Sequence, residues 1–165
     1  ETVSRIKKAE TNTLHSSNNK SNYTYEVVVV EDNHLTNTIL SKALDSTIKT
    51  IYNLKNIAVK FSSFQNGHDF LSYFESMEFQ NSRLIVFSDY HLEDNMNGIK
   101  ILRNIKQKKA DATVIIMSDS TNNQISVDAE NMGAYCFLPK NYKTPVICSE
   151  LLSQMVSWKI NFSKK

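Results

Sequence analysis

The chain has 165 residues, of which 41% are hydrophobic and 22% charged, and its length suits one domain with a substantial core. Its formal net charge of +2 is too small to predict nucleic-acid or anionic-membrane binding, and no apolar run is long enough to span a bilayer. Cys136 and Cys148 both lie in apolar segments and predict buried thiols in a reducing compartment, so we expect a cytoplasmic protein.

The first predicted elements follow a polar N-terminal segment. Residues 1–24 are rich in Ser, Thr, Asn and Lys, which is typical of a linker or an N-terminal arm. The β-branched run at residues 27–30 predicts a central strand that ends at Glu31 and Asp32. Apolar residues then recur near helical spacing and predict a helix of about four turns, with its buried stripe at Leu35, Ile39, Ala43, Ile48 and Ile51. We expect residues 50–56 to form a longer surface connection.

The middle of the chain predicts an edge strand, a helix and a buried strand. Residues 57–62 alternate between apolar and more polar side chains, which indicates a strand with one wetter face at a sheet edge. Asn66 and Gly67 mark a turn, and Phe70 and Phe74 begin a helical stripe that continues to Met77. The apolar run at residues 84–88 is too short for a helix and predicts a strand buried on both faces.

Asp89 closes this third strand, at the position where open α/β sheets bind their ligands. Our hypothesis is that Asp89 is a nucleophile that accepts a phosphoryl group. An ordinary loop acid at the end of a strand is the alternative. Chemical groups at the ends of the other strands would favour the first interpretation.

The second half of the chain repeats the pattern of strand and helix. Gly98 precedes a helix with Leu102 and Ile105 on its inner side, and residues 113–117 predict a fourth buried strand. A shorter helix ends at Gly133, and residues 134–138 predict a fifth strand, followed by Pro139 and Lys140. Thr144 and Pro145 are typical of a helix start, and the buried face of that last helix is predicted at Cys148, Leu151, Leu152 and Met155.

Five strands alternating with five helices predict a doubly wound, parallel α/β sheet with helices on both faces. The C-terminal ends of all strands then meet at one edge, where the chain places Glu31, Asp32, Asp89, Ser118 and Lys140. Three carboxylates crowded together repel one another unless a cation lies between them, and an all-oxygen set suits Mg²⁺. A positive charge and a hydroxyl group complete a pocket suited to phosphoryl transfer.

Five segments at these strand ends resemble the receiver domain of two-component response regulators. They are VVVVEDN, SFQNGHDF, LIVFSD, VIIMSDS and GAYCFLPK, in this order along the chain. The resemblance implies a flavodoxin-like sheet with strand order 2-1-3-4-5. It covers roughly residues 25–158, which we expect to be the receiver domain, followed by a C-terminal tail at residues 159–165.

The resemblance also implies roles for individual residues. Asp89 would attack the phosphorus of a phosphohistidine on a histidine kinase or a histidine phosphotransfer protein. The implied Mg²⁺ ligands are Asp32, Asp89, Glu31 directly or through water, and the backbone carbonyl of His91. Lys140 would pair with one phosphoryl oxygen and Ser118 would donate to another. The shift of Ser118 would be followed by inward rotation of Phe137, which alters the face of the fourth helix, fifth strand and last helix.

The resemblance implies a signalling module. Its only catalysis would be of its own phosphorylation and slow dephosphorylation, so we do not expect an enzyme in any other sense. The switch face also offers a surface for a homodimer, and no direct contact with nucleic acid is expected. About seven residues follow Trp158, so we expect no effector domain there; a stand-alone receiver and a piece of a longer protein both remain open.

Two other functions compete with this interpretation. Asp119 and Asn141 depart from the family pattern and favour a receiver-like interaction module that has lost switching. Glu93, where a proline is common, is a further departure, in the loop after Asp89. A flavodoxin-like cofactor carrier would need a phosphate loop after the first strand. The carboxylates of Glu31 and Asp32 would repel that phosphate, which argues against the carrier.

Overall fold

The computed structural model describes residues 25–78 and 82–162, with the side chains of residues 157–162 excepted. The predicted arm at residues 1–24 lies outside this range. The strands are β1 (Tyr25–Val30), β2 (Val59–Phe64), β3 (Arg83–Asp89), β4 (Thr113–Ser118) and β5 (Cys136–Pro139). The helices are α1 (His34–Lys55), α2 (Gly67–Ser76), α3 (Gly98–Lys108), α4 (Asn123–Asn131) and α5 (Thr144–Phe162). None of these described helices combines the length and the apolar character needed to cross a bilayer.

The five strands form one parallel sheet in the order β2-β1-β3-β4-β5, which confirms the predicted fold and strand order. The register aligns Val30 with Ser88 and Asp89 with Met117 across neighbouring strands. Ser118 is likewise aligned with Pro139. The residues that end β1, β3, β4 and β5 therefore lie side by side at one edge of the sheet.

Each face of the sheet carries its own apolar core. Val27, Val29 and Phe87 point toward α1 and α5, where they pack with Leu44 and Leu152. The alternate residues of the same strands face α2, α3 and α4, and this second core includes Val28, Val30, Val86, Phe70 and Ile105. Because both faces are covered, the central strands are apolar in their interior and carry their polar residues near their ends.

The buried stripe of α1 differs from the prediction. The helix has 22 residues, and its buried side chains are Asn37, Leu40, Leu44, Ile48 and Ile51. Leu35 and Ile39, which we expected in the core, are 68% and 49% exposed. Residues three or four apart share a helix face, and the face set by Leu40 and Leu44 leaves these two side chains outside it.

The predicted surface connection at residues 50–56 is also wrong. Helix α1 continues through Lys55 because Ile51 supplies a further buried turn. Asn56 then ends the helix in a left-handed conformation, with φ at 52° and its N–H donating to the carbonyl of Tyr52.

The connection between β5 and α5 is held by Thr144. Helix α5 begins at Thr144, as the Thr-Pro pair predicts. The Thr144 hydroxyl accepts from the N–H of Asn141 at 2.8 Å and donates to the carbonyl of Pro139 at 3.2 Å, so it holds the preceding loop instead of capping the next helical turn. Lys140 lies between these two tethered residues, and the loop conformation fixes the direction from which its side chain leaves the sheet.

Candidate functional site

An open cleft of about 730 Å³ lies at the edge where the strands end. Its polar lining includes Glu31, Asp32, Asp89, Asp119 and Lys140. The parallel register brings these residues together from β1, β3, β4 and β5, whereas they are far apart in the chain. The cleft therefore contains most of the polar groups that we predicted at this edge.

Lys140 contacts two buried carboxylates at the base of the cleft. Its Nζ lies 2.8 Å from Oδ2 of Asp89 and 2.7 Å from Oε2 of Glu31. The Glu31 side chain is fully buried, and that of Asp89 nearly so. For Glu31 Oε2, a buried oxygen with no other polar partner among the described residues, the Lys140 ammonium group at 2.7 Å is the contact that offsets its charge.

Burial and charge shift the pKa values of this group. Burial raises the pKa of Glu31, and the neighbouring charge of Asp89 adds to it, while Lys140 opposes the shift. Burial also raises the pKa of Asp89, because desolvation outweighs the contact with Lys140. Burial lowers the pKa of Lys140, but its two carboxylate partners more than offset this and the pKa is raised overall. One ammonium group thus compensates the two acids only in part.

Asp32 completes a cluster of three acids. One carboxylate oxygen from each of Glu31, Asp32 and Asp89 lies within 4.8 Å of the others. Oxygen donors at this spacing suit a hard divalent cation, and the buried Oε2 of Glu31 shares its one ammonium contact, Lys140, with Asp89. The three acids could therefore hold a metal ion, with Lys140 reducing the local negative charge.

Asn37 is a site residue that the sequence interpretation missed. Its side-chain amide donates to the carbonyl of Glu31 at 2.8 Å and to the carbonyl of Phe64 at 3.1 Å. The N–H of Glu31 also donates to Phe64, at 3.0 Å, and the N–H of Asn33 donates to Glu31 Oε1 at 3.2 Å. Glu31 is thus fixed at both its backbone and its side chain. The sequence feature that could have identified Asn37 is its position as a polar residue on the sheet-facing side of α1.

Gly98 packs directly against the backbone of Asp89. A Cβ at this position would lie 2.7 Å from the carbonyl oxygen of Asp89 and 3.1 Å from Cα of Tyr90. Both are backbone atoms, so they cannot move aside as a flexible side chain would. The sequence predicted a helix start at Gly98, but the close approach of Gly98 to Asp89 can be seen only in the folded structure.

Ser118 and His91 flank Asp89. Ser118 is fully buried, and its hydroxyl oxygen accepts from the N–H of Ser120 at 3.0 Å. The N–H of His91 donates to Oδ1 of Asp89 at 3.3 Å, and the His91 side chain lines the cleft. The metal-binding role of the His91 carbonyl stays a prediction.

Phe137 lies in β5 beside Ile116 of β4. Its side chain is half-buried and packs against the core on the α2, α3 and α4 side. The structure therefore places this aromatic one strand away from Ser118, and its rotation stays a prediction.

The three departures from the family pattern have distinct positions. Asp119 is exposed and lines the cleft. Asn141 follows Lys140, and its N–H is held by the Thr144 hydroxyl, so Lys140 reaches both carboxylates without a proline after it. Glu93 contributes its backbone N–H, which donates to Oδ2 of Asp32 at 3.0 Å.

Comparison with known proteins finds one matching family model and several solved structures with a similar fold. The family model described as the response regulator receiver domain matches residues 27–152, more than half of the chain. No curated protein matches at a significant level. The response regulator DrrB of Thermotoga maritima, described as an OmpR/PhoB homologue, has a TM-score of 0.63 and 19% identity over 82% of this chain. The match covers 54% of DrrB, so this chain spans about half of that protein.

Two further structures extend the comparison. A response regulator receiver domain protein from Clostridium thermocellum has a TM-score of 0.63 and 18% identity, covering 85% of this chain and 97% of that one. The response regulator Rcp1, in a form described as Mn²⁺-bound, has a TM-score of 0.58 and 16% identity, covering 79% and 92%. At these identities the structures show a shared fold.

Proposed function

This chain belongs to the response regulator receiver domain family, and we propose that it is a phosphorelay receiver whose phospho-acceptor is Asp89. Receiver domains in general are signalling modules that interact with histidine kinases or histidine phosphotransfer proteins. The observation that carries the proposal is the Asp89 carboxylate, held at the cleft with Lys140 Nζ 2.8 Å from its Oδ2. We assign the receiver domain to residues 25–158, although α5 continues to Phe162.

The proposed reaction is a direct phosphoryl transfer. An Asp89 carboxylate oxygen attacks the phosphorus of a phosphohistidine on the partner protein, and the O–P bond forms as the P–N bond breaks. The imidazole nitrogen of the partner keeps the electron pair of the broken bond. Lys140 lies where its ammonium group can neutralise a phosphoryl oxygen, which is the main contribution a protein makes to such transfers.

Glu31, Asp32, Asp89 and the carbonyl of His91 are the proposed ligands of Mg²⁺. The support comes from the close spacing of the three acids and from the single ammonium group, Lys140, that Glu31 and Asp89 share. Rcp1, which shares this fold, is described in a Mn²⁺-bound form, so a divalent ion binds to at least one protein of similar fold. When bound, the ion supplies positive charge that offsets the carboxylates and the incoming phosphoryl oxygens.

Ser118 and Phe137 are the proposed switch. The Ser118 hydroxyl accepts from Ser120, which leaves its own hydrogen available to donate to a phosphoryl oxygen. We expect Ser118 to move toward the phosphoryl group and Phe137 to turn inward after it. That change would remodel the face of α4, β5 and α5, through which partners or a second copy would bind.

The exposed apolar side chains of α1 support a protein as the phosphodonor. Ile39 lines the cleft, and Leu35 precedes it by one helical turn on the same side of α1. Both are exposed in spite of their apolar character, which is typical of a surface that a partner covers. A phosphohistidine-bearing helix would pack here while its imidazole reaches Asp89.

A second candidate is a receiver-like interaction module without switching. The observation that favours it is the exposed Asp119, which adds a carboxylate to the cleft that a phosphoryl group must enter. A protein of this kind would keep the fold and the partner surface but would not be phosphorylated.

Intact mass measurement separates the two candidates. The protein is incubated with Mg²⁺ and acetyl phosphate, and the phosphorelay receiver gains one phosphoryl group. Asp89→Asn should gain none, whereas the matched control Asp119→Asn, which removes an exposed acid from the same cleft, should still gain it. Failure of the wild-type protein to form the adduct would favour the interaction module.

A further inference from the structure

The loop between β3 and α3 contacts the acidic cluster through its backbone. The N–H of Glu93 donates to Oδ2 of Asp32 at 3.0 Å. Within the described residues this hydrogen bond is the one that fixes the Asp32 carboxylate, whose side chain is only partly buried. Without it, a carboxylate in this position would be free to rotate into solvent.

The loop that carries this N–H is itself anchored. Asp94 and Asn95 both adopt left-handed conformations, with φ at 58° and 56°, which turn the chain back after Glu93. The carbonyl of Glu93 accepts from the N–H of Met96 at 3.1 Å. Lys100 Nζ donates to the carbonyl of Asn95. The donor to Asp32 is therefore part of an ordered turn.

The same loop is also attached to α2. Met96 is 8% exposed and packs so closely on Gly67 that a Cβ there would lie 2.4 Å from Met96 Cγ. The ring of His68 lies 3.3 Å, Nε2 to oxygen, from the carbonyl of Asp94. These contacts hold the turn against α2 on one side while the N–H of Glu93 reaches Asp32 on the other.

We propose that the Glu93 N–H is a positioning group for the divalent cation, because it holds Asp32 with one oxygen engaged and the carboxylate directed toward Glu31 and Asp89. The proposal rests on the metal site of the proposed function. Its support is that the three acids already lie within 4.8 Å of one another while this hydrogen bond is made. Groups that orient a metal ligand contribute to affinity without touching the ion.

Two substitutions at one position test the role of the N–H. Glu93→Pro removes the side-chain charge and the N–H, whereas Glu93→Ala removes the charge and keeps the N–H. We expect Mg²⁺ to bind Glu93→Pro roughly tenfold more weakly than Glu93→Ala, by isothermal titration calorimetry, since lost orientation of a ligand costs on that order or more. Equal affinities of the two variants would overturn the proposal.

Amide hydrogen exchange of the wild-type protein provides a second test, one that does not depend on the proline variant folding. The Glu93 amide should be protected in the metal-free protein, lose protection in Asp32→Ala, and stay protected when Mg²⁺ is added. Faster exchange of the Glu93 amide on adding Mg²⁺ would mean that the ion and the N–H compete for Asp32, which contradicts a positioning role.

The results also distinguish this proposal from the one on which it rests. If the wild-type protein binds Mg²⁺ and the two Glu93 variants bind equally, only the positioning role is wrong. If the wild-type protein binds no Mg²⁺, the metal site is wrong and the positioning role is refuted with it.

Discussion

The Asp89 carboxylate should lower the stability of the metal-free protein at neutral pH, so that Asp89→Asn raises it. Burial raises the pKa of Asp89 above its ordinary value of 3.8, because the cost of desolvation exceeds the gain from Lys140. Lys140 is shared with Glu31 at a similar distance, which limits what it can contribute to either acid. A neutral side chain of the same shape avoids the desolvation cost of a charge.

The sign of the pH dependence follows from the direction of this shift. Because the folded-state pKa is raised, the folded protein binds more protons than the unfolded chain between the two pKa values. The stabilisation that this extra proton provides is fully present below the unfolded-state pKa of Asp89, near 3.8, and is lost as the pH rises through the folded-state pKa. Because the ionised carboxylate is therefore less favourable in the folded protein than in the unfolded chain at pH 7, we expect Asp89→Asn to raise the free energy of unfolding there by more than about 0.5 kcal/mol, the change typical of an exposed substitution.

Urea unfolding in the presence of EDTA measures this difference. The advantage of Asp89→Asn should shrink as the pH is lowered toward the unfolded value of 3.8, because the wild-type carboxyl takes up its proton at a higher pH in the folded protein than in the unfolded chain. Asp119→Asn is the matched control, because it removes an exposed acid from the same cleft and should change stability by no more than about 0.5 kcal/mol. If Asp89→Asn were less stable than the wild type at pH 7, the Lys140 contact would outweigh desolvation and the reasoning would be refuted.

Three further experiments test other parts of the structure. Gly98→Ala places a Cβ against the Asp89 carbonyl and should cost about 1–3 kcal/mol in the free energy of urea unfolding; an unchanged value would contradict the close approach. Tyr73→Phe removes the hydroxyl that donates to the buried Glu26 carboxylate and should cost about 1.5–3 kcal/mol, whereas the exposed Tyr52→Phe should be neutral. The double variant Leu35→Ala and Ile39→Ala should keep its stability within about 1 kcal/mol and should still be phosphorylated by acetyl phosphate. It should accept a phosphoryl group more slowly from a phosphohistidine protein. An unchanged rate of that transfer would mean that this surface does not bind the phosphodonor protein.

The sheet could be predicted from the sequence because its signals are local. The apolar runs of β1, β3 and β4 are bounded by polar residues, and each run is followed within two residues by an acid that lines the cleft. Parallel pairing then brings these ends together without any knowledge of loops. The strand order is confirmed as well, but it was implied by the resemblance to receiver domains and not by these local signals.

The helix faces and the loop contacts could not be predicted in this way. Leu35 and Ile39 fit a helical repeat as well as Leu40 and Leu44 do, and only packing against the sheet selects the second pair. The hydrogen bond from Glu93 to Asp32 joins residues 61 positions apart and involves a backbone N–H, so no side-chain pattern signals it. The role of Asn37 as a donor to two carbonyls likewise appears only when β1 and β2 lie side by side.

The most direct test of the central claim is to locate the phosphoryl group. The protein is phosphorylated with acetyl phosphate and Mg²⁺, treated with borohydride, which reduces an aspartyl phosphate to homoserine, and digested for tandem mass spectrometry. Homoserine at position 89 is the predicted result. Homoserine at position 32 or 119, or a borohydride-stable phosphate on Ser118, would contradict the assignment of Asp89 as the acceptor.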